Sequence, residues 1–81
     1  MAGILRLGDV DNAGDRMKTG TSTVFANTLP ICRLGDVDSH DDELKTASSN
    51  VFIGGVAVGR IWDKDSRNNT KVSGSFTVRV N

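Results

Sequence analysis

The sequence predicts a small all-β domain, a cone or pyramid with pseudo-threefold symmetry that is built from three β-hairpin repeats of 27 residues. Residues 6–11 and 33–38 share the same six amino acids, Arg-Leu-Gly-Asp-Val-Asp, and residues 60–65 keep the arginine and both aspartates of that motif. Each copy continues into a run of alternating β-branched and apolar residues, which is typical of a strand. No segment has the periodicity of an amphipathic helix.

The chain length indicates that the repeats close on themselves. In a single register the repeats are residues 6–32, 33–59 and 60–81, and residues 1–5 supply the positions that the third copy lacks. The 81 residues thus hold three full units of 27. An open repeat array needs distinct capping units at its ends, so we interpret residues 1–81 as one closed domain.

A two-residue turn is predicted at the tip of each hairpin. Asn27 and Thr28 form this turn in the first unit, and Gly54 and Gly55 form it in the second, because Asn and Gly tolerate the positive φ that such turns demand. In the third unit the chain termini meet at the equivalent place. The resulting register gives every hairpin one apolar face, which a slip of one residue would destroy. The predicted pairs on this face are Ala26–Leu29, Val24–Ile31, Ile53–Val56, Val51–Val58, Val80–Ala2 and Val78–Ile4.

Composition excludes several classes of function. Ten basic and ten acidic side chains give a net charge of zero, whereas a nucleic-acid-binding protein usually carries a basic stripe. No basic-then-apolar leader is present, and the apolar run at residues 51–58 is too short to span a bilayer. The single cysteine, Cys32, cannot form an internal disulfide, which fits a reducing compartment. We therefore expect synthesis in the cytoplasm without a signal peptide, and no nucleic-acid partner.

Paired aspartates open the polar loop of each repeat. The pairs are Asp9 with Asp11, Asp36 with Asp38, and Asp63 with Asp65. One interpretation is that their carboxylates cap the turns by accepting backbone N–H bonds, with Arg6, Arg33 and Arg60 as ion-pair partners. The alternative is a calcium site, although calcium takes six to eight oxygen ligands and two carboxylates per repeat supply fewer.

Three single residues interrupt the repeat. His40 is either a metal ligand or a solvated loop residue that is hydrogen-bonded to Asp41 or Asp42. Cys32 is expected to be a small buried apolar residue. Trp62 stands where the other two repeats have glycine, which predicts a different turn in the third repeat.

No constellation typical of an enzyme is present. No histidine recurs beside a serine or cysteine through the repeats, no glycine-rich loop is suited to cradle phosphate, and no carboxylate pair lies in an apolar setting. We therefore expect neither catalysis nor a small-molecule substrate.

The repeated motifs resemble those of the PAAR-repeat proteins. The likeness rests on Arg-Leu-Gly-Asp at residues 33–36, on the Thr-Leu-Pro-Ile-Cys-Arg segment at residues 28–33, and on residues 48–60. The last segment combines a Ser-Ser-x-Val strand, a Gly-Gly turn and a return strand that ends in Arg60. Three copies in phase extend the resemblance over the whole chain.

This resemblance implies a structural role at the tip of a contractile injection machine, in a phage baseplate or a type VI secretion apparatus. Members of the family are small cones, and one copy caps and sharpens the blunt end of a trimeric β-helical spike. The implied function is to help the spike pierce the target envelope, with transient contact with the target membrane and delivery to the target cell. The rival hypothesis is a calcium-binding β-repeat module that uses the aspartate-rich loops.

The resemblance also implies a zinc ion near the apex, held by three histidines and one cysteine from the loops. Here the loops offer His40 alone, because Ala13 and Arg67 occupy the equivalent positions, and Cys32 lies in a return strand. A structural zinc site needs four ligands, nearly always Cys or His. We therefore expect no cofactor, with His40 as the remaining candidate for a metal ligand.

A docking surface is expected on the mixed face of the hairpins. Phe25, Phe52 and Leu5 come one from each hairpin, and apolar side chains of this kind are suited to bind the spike. The alternative for the two phenylalanines is a second layer of the core.

Overall fold

Six short strands form three antiparallel pairs in the computed structural model, which describes residues 2–81. The strands are β1 (Ala2–Gly3), β2 (Phe25–Ala26), β3 (Leu29–Pro30), β4 (Phe52–Ile53), β5 (Val56–Ala57) and β6 (Arg79–Val80). Strand β2 pairs with β3, β4 with β5, and β1 with β6. No helix occurs among these residues, so the prediction of an all-β protein is confirmed.

The register of each pair is the one predicted from the apolar face. The residues that face each other nearest the turns are Ala26 with Leu29, Ile53 with Val56, and Val80 with Ala2. One step further from the turns, backbone hydrogen bonds join Ile31 N–H to Val24 C=O, Val58 N–H to Val51 C=O and Ile4 N–H to Val78 C=O. The turns also match, because Asn27 and Thr28 have φ of 54° and 68°, and Gly54 and Gly55 have φ of 59° and 80°. Positive φ at both central residues is what a tight hairpin requires.

The remaining backbone pairing within residues 2–81 consists of isolated bridges, six within a repeat and three between repeats. Isolated bridges such as Arg6–Ile31 and Arg33–Val58 recur at the 27-residue spacing. A closed cycle of three backbone hydrogen bonds lies next to them. Leu5 N–H donates to Gly59 C=O, Cys32 N–H to Leu5 C=O, and Gly59 N–H to Cys32 C=O, each over 2.9 Å. Because each repeat both donates and accepts in this cycle, the three segments must lie around a common point.

Hydrophobic side chains form two clusters. The first draws on all three strand pairs, and its buried residues are Ile4, Ala26, Ile31, Val58 and Val80, with Val51 and Ile53 packed against them. The second cluster consists of Leu5, Met17, Cys32 and Leu44. The residues of this second cluster lie beyond the short strands, on the side that leads into the polar loops.

Leu5 does not lie on the predicted docking surface. It was expected on the docking surface with Phe25 and Phe52, but its side chain is fully buried in the second cluster. The two phenylalanines are 53% and 55% exposed, so they are surface residues and not a second layer of the core. The strict alternation of faces fails at Leu5 because the residue lies past the end of β1, where its backbone turns inward to bond with Gly59 and Cys32.

The molecule measures 24 × 24 × 22 Å along its principal axes. No helix within residues 2–81 has the length and apolar character needed to cross a membrane.

Candidate functional site

A buried ammonium group surrounded by three carboxylates is the most unusual feature of the loops. Lys71 Nζ lies 3.2 Å from the Oδ2 atom of each of three aspartates, Asp11, Asp38 and Asp65. All four side chains have no solvent exposure. Lys and Asp are almost never fully buried unless they are paired, so this cluster, which we call the Lys71 cage, must be satisfied internally.

The three aspartates reach the cage from the same position in each repeat. Their second carboxylate oxygen caps the loop, as the sequence predicted. Asp11 Oδ1 accepts the N–H groups of Ala13 and Asp15, Asp38 Oδ1 those of His40 and Asp42, and Asp65 Oδ1 those of Arg67 and Asn69. The capping bonds orient each side chain, so that its other oxygen is left to face the ammonium group.

Lys71 comes from the third repeat alone. The equivalent residues of the first and second repeats are Met17 and Leu44, which belong to the second hydrophobic cluster. The aliphatic stem of a lysine can pack as these side chains do, while its terminal nitrogen extends further. One repeat therefore supplies the cation that neutralises part of the charge from all three.

The surroundings raise the pKa of Lys71 and lower the pKa of Asp38. Burial alone would lower the pKa of Lys71, but hydrogen bonds from its ammonium group to Asp65, Asp38 and Asp11 raise it above its usual value. Burial pushes the pKa of Asp38 upward, yet the N–H groups of His40 and Asp42 together with Lys71 hold it below its usual value. Both shifts favour the charged forms, so Lys71 and Asp38 are held as an ion pair at neutral pH.

A second set of polar contacts links the loop tips of the second and third repeats to the preceding loop. His40 Nδ1 lies 2.5 Å from Asp15 Oδ1, and Arg67 Nε lies 3.2 Å from Asp42 Oδ1 in the equivalent place one repeat later. His40 therefore bonds to the preceding loop, and the prediction of a bond to its neighbours Asp41 or Asp42 is wrong. The hydrogen bond that the ring of His40 donates to Asp15 raises the pKa of His40 above its usual value.

The turns that enter the loops are held by arginine–aspartate contacts in two of the three repeats. The Arg6 and Arg60 side chains pair with Asp9 and Asp63 respectively, and the hydrogen bond to Asp63 raises the pKa of Arg60. The Arg33 side chain differs, since it donates to the Ile53 carbonyl and its buried Nε has no partner. The predicted ion pair is thus present in the first and third repeats only.

The turn at Trp62 keeps the shape of the other two, contrary to the prediction. Its φ is 80°, against 87° at Gly8 and 91° at Gly35. Its N–H donates to Lys71 C=O over 2.7 Å, just as Gly8 donates to the residue equivalent to Lys71 in its own repeat. The surrounding hydrogen bonds therefore impose a left-handed conformation on a residue that does not favour it.

The residues present do not fit a zinc site of three histidines and one cysteine. Cys32 is fully buried, and its thiol donates to the Thr19 carbonyl over 3.2 Å. Burial, with the nearby Asp36 and Asp9 charges, raises the pKa of Cys32 to about 12, so the thiolate that binds metals is disfavoured. Within residues 2–81, the acidic, histidine or cysteine side chains that come within 4.8 Å in groups of three are aspartates alone. The groups are Asp11, Asp15 and Asp38, and Asp38, Asp42 and Asp65.

Comparison with models of known protein families and with curated proteins finds no match for this chain. The geometry of the site must therefore carry the functional argument. The sequence predicted the capping aspartates but not the Lys71 cage. A signal was present, because aligning the repeats places Lys71 where the other two copies have Met17 and Leu44.

Proposed function

We propose that the protein is the structural tip of a contractile injection machine, as the resemblance to PAAR-repeat proteins implies. In this proposal one copy caps a trimeric β-helical spike, sharpens it and helps it pierce the target envelope. In this proposal the three repeats lie about a pseudo-threefold axis, so that a single chain presents three similar edges to the three subunits of the spike.

The observation that carries the proposal is the convergence of all three repeats on one point. The three hydrogen bonds of the closed cycle through Leu5, Cys32 and Gly59 are each 2.9 Å long. The three aspartates of the Lys71 cage lie at equal distances of 3.2 Å from one nitrogen. A chain built in this way matches a threefold partner without leaving one subunit unpaired.

The Lys71 cage supports a mechanical role. A tip that is pushed through an envelope has to keep its loops together, and the ammonium group of Lys71 holds the three loops together through ion pairs with their aspartates. Because Lys71 cannot dissociate as a metal ion can, we propose that it takes the part of the apex metal and that no zinc is needed.

The surface proposed to meet the spike is centred on Phe25 and Phe52. Both phenylalanines are more than half exposed, and they occupy equivalent positions on β2 and β4. The equivalent residue on β6 is Arg79, which is also exposed and replaces Leu5 as the third member of the set. Aromatic and arginine side chains are the residues most enriched at protein interfaces.

The test is capture by purified trimeric spike proteins from phage tails and from type VI secretion machines. We expect one chain per trimer by mass measurement after gel filtration, and loss of capture when Phe25 and Phe52 are both replaced by serine. Phe76→Ser is the matched control, since Phe76 is also an exposed phenylalanine but does not occupy the repeat position of Phe25 and Phe52. A folded double variant that still binds contradicts the proposed surface, and absence of binding to every spike contradicts the proposed function.

A calcium-binding module is the second candidate. The two aspartate groups are the observation in its favour. Against it, every carboxylate of the Lys71 cage already accepts two backbone N–H bonds and one ammonium bond. A calcium ion would have to displace Lys71 or share its ligands.

A further inference from the structure

One flank of the molecule departs from the repeat pattern at three positions at once. Trp62, Val72 and Phe76 stand where each of the other two repeats has a glycine, a lysine and a serine respectively. All three line one concave pocket of about 280 Å³. The remaining lining residues are Ala2, Gly3, Ile61, Ser75 and Arg79. Three polar or small residues have thus become apolar on the same flank of the third repeat only.

The apolar side chains of this pocket are open to solvent. Phe76 is 86% exposed and Trp62 is 70% exposed, the highest values among the large hydrophobic residues of the described chain. Single exposed hydrophobic residues are common, but a contiguous group marks a binding surface. Because Phe76 and Trp62 contribute little to the two hydrophobic clusters, the stability of the fold does not account for them.

Backbone strain at Trp62 also indicates that this pocket is a binding site. Its φ of 80° is a conformation that glycine adopts freely and that a bulky side chain does not. Gly8 and Gly35 make the equivalent turns with no side chain at all, so the turn itself does not require tryptophan. Strained residues of this kind cluster at ligand-binding sites, where the surrounding structure holds them in place.

The charge and the volume of the pocket restrict the kind of ligand that it can bind. Arg79 is exposed and is the one charged side chain among the described residues that line the pocket, so a bound group with a carboxylate is electrostatically matched. The volume is below the range of about 300–1,000 Å³ that is typical of sites for small-molecule ligands and cofactors. It suits one or two side chains instead. A concave site with a single cation is also a poor match for a lipid surface, which would contact a convex face with several basic residues.

We propose that this pocket docks a short extended segment of a partner polypeptide. An aromatic or aliphatic side chain of the segment packs between Trp62 and Phe76 beside Val72, and an adjacent aspartate or glutamate of the segment pairs with Arg79. Since the pocket exists in one repeat of the three, the partner binds once per chain. The inference does not depend on docking to a spike, because the pocket residues other than Arg79 lie outside the proposed spike surface.

The test begins with selection of short linear peptides displayed on phage against the intact protein. We expect enrichment of sequences that place an acidic residue next to an aromatic or aliphatic one. Binding of a selected peptide is then measured by fluorescence polarisation of a labelled copy. Trp62 is the only tryptophan of the chain, so its own fluorescence reports whether the peptide reaches the pocket.

Matched variants put into the pocket the residues of the other repeats. Trp62→Gly, Val72→Lys and Phe76→Ser should each weaken the peptide by about tenfold or more, as the loss of an anchoring contact does. Arg79→Gln should weaken the acidic peptide but not its asparagine or glutamine analogue. Phe25→Ser, outside the pocket, should leave binding unchanged. Circular dichroism and thermal unfolding establish that each variant is folded.

Several results would overturn the proposal. They are the absence of any enriched peptide, equal binding to the Trp62→Gly and Phe76→Ser variants, and concentration-dependent dimers that vanish in those variants. A shift of Trp62 fluorescence with phosphatidylcholine–phosphatidylglycerol vesicles, in the absence of peptide binding, would assign the surface to a membrane instead. Failure to bind a spike would leave these measurements unaffected, so the two proposals fail independently.

Discussion

Replacing Lys71 with methionine is the most direct test of the role of the Lys71 cage. Methionine is the residue of the first repeat at the equivalent position, so the second hydrophobic cluster already accommodates a side chain of this shape. The substitution removes the cation that lies 3.2 Å from each of three fully buried carboxylates. Its effect therefore measures the electrostatic contribution with little change in packing volume.

The magnitude follows from the geometry. At an effective dielectric constant of about 20, unit charges 3.2 Å apart attract by about 5 kcal/mol. Three such attractions are offset by repulsion among the carboxylates and by the cost of burying four charges, so the net loss is smaller than their sum. Removing one partner of a buried ion pair typically costs about 3–5 kcal/mol. We expect about 4 kcal/mol or more at neutral pH, out of a total of about 4–12 kcal/mol for a chain of this length.

Urea denaturation and thermal unfolding at two pH values give the decisive measurement. At neutral pH we expect the melting temperature of Lys71→Met to fall by about 20 °C, since about 1 kcal/mol corresponds to 4–8 °C. Near pH 4 the difference from the wild type should shrink. Without the ammonium group, protonation relieves the cost of burying the carboxylate charges, so acid favours the variant. In the wild type the pKa of Asp38 is lowered, so its stabilising contribution is present above the usual value of 3.8 and is lost only as the pH falls below it.

The control is Lys45→Met, which removes an exposed lysine and should change stability by less than about 0.5 kcal/mol. A Lys71→Met protein that unfolds at neutral pH but folds near pH 4 agrees with the argument. A loss below about 1 kcal/mol, equal at both pH values, would refute it and show that the carboxylates do not need the ammonium group.

Three further predictions concern pH, packing and metals. The hydrogen bond that His40 donates to Asp15 raises the pKa of His40, so the imidazolium stabilises the fold below pH 6.5 and this contribution is lost as the pH rises through the raised value. Thermal unfolding of His40→Ala should lack this pH dependence. Gly59→Ala should cost about 1–3 kcal/mol in urea denaturation, because the new Cβ would lie 2.6 Å from Leu44 Cδ2, and a neutral effect would contradict the close packing. Calcium and chelators should leave the melting temperature unchanged, and elemental analysis should find less than one zinc per chain, because Lys71 lies where the carboxylates meet; one zinc per chain would disprove this.

Local features of the fold could be predicted from the sequence because they depend on residues that are near one another in the chain. The hairpin register follows from the turn residues and from a period of two, both of which operate within a few positions. The capping role of Asp38 is equally local, since its carboxylate bonds to N–H groups two and four residues further on. The repeat spacing extended these local predictions to all three units.

The features that the sequence did not predict depend on contacts between residues that are distant in the chain. Lys71 meets Asp11 and Asp38 across 60 and 33 residues, and His40 meets Asp15 across 25, so neither contact has a signature in its own segment. Leu5 is buried because the cycle of backbone bonds draws it inward, past the point where strand alternation applies. Trp62 adopts the glycine conformation because its hydrogen bonds to the rest of the fold outweigh its own preference. The sequence by itself determined the repeat, the turns and the caps through short-range sterics and hydrogen bonding. Only the tertiary structure decided which charges meet and which apolar side chains remain outside, since both depend on bringing the three repeats together.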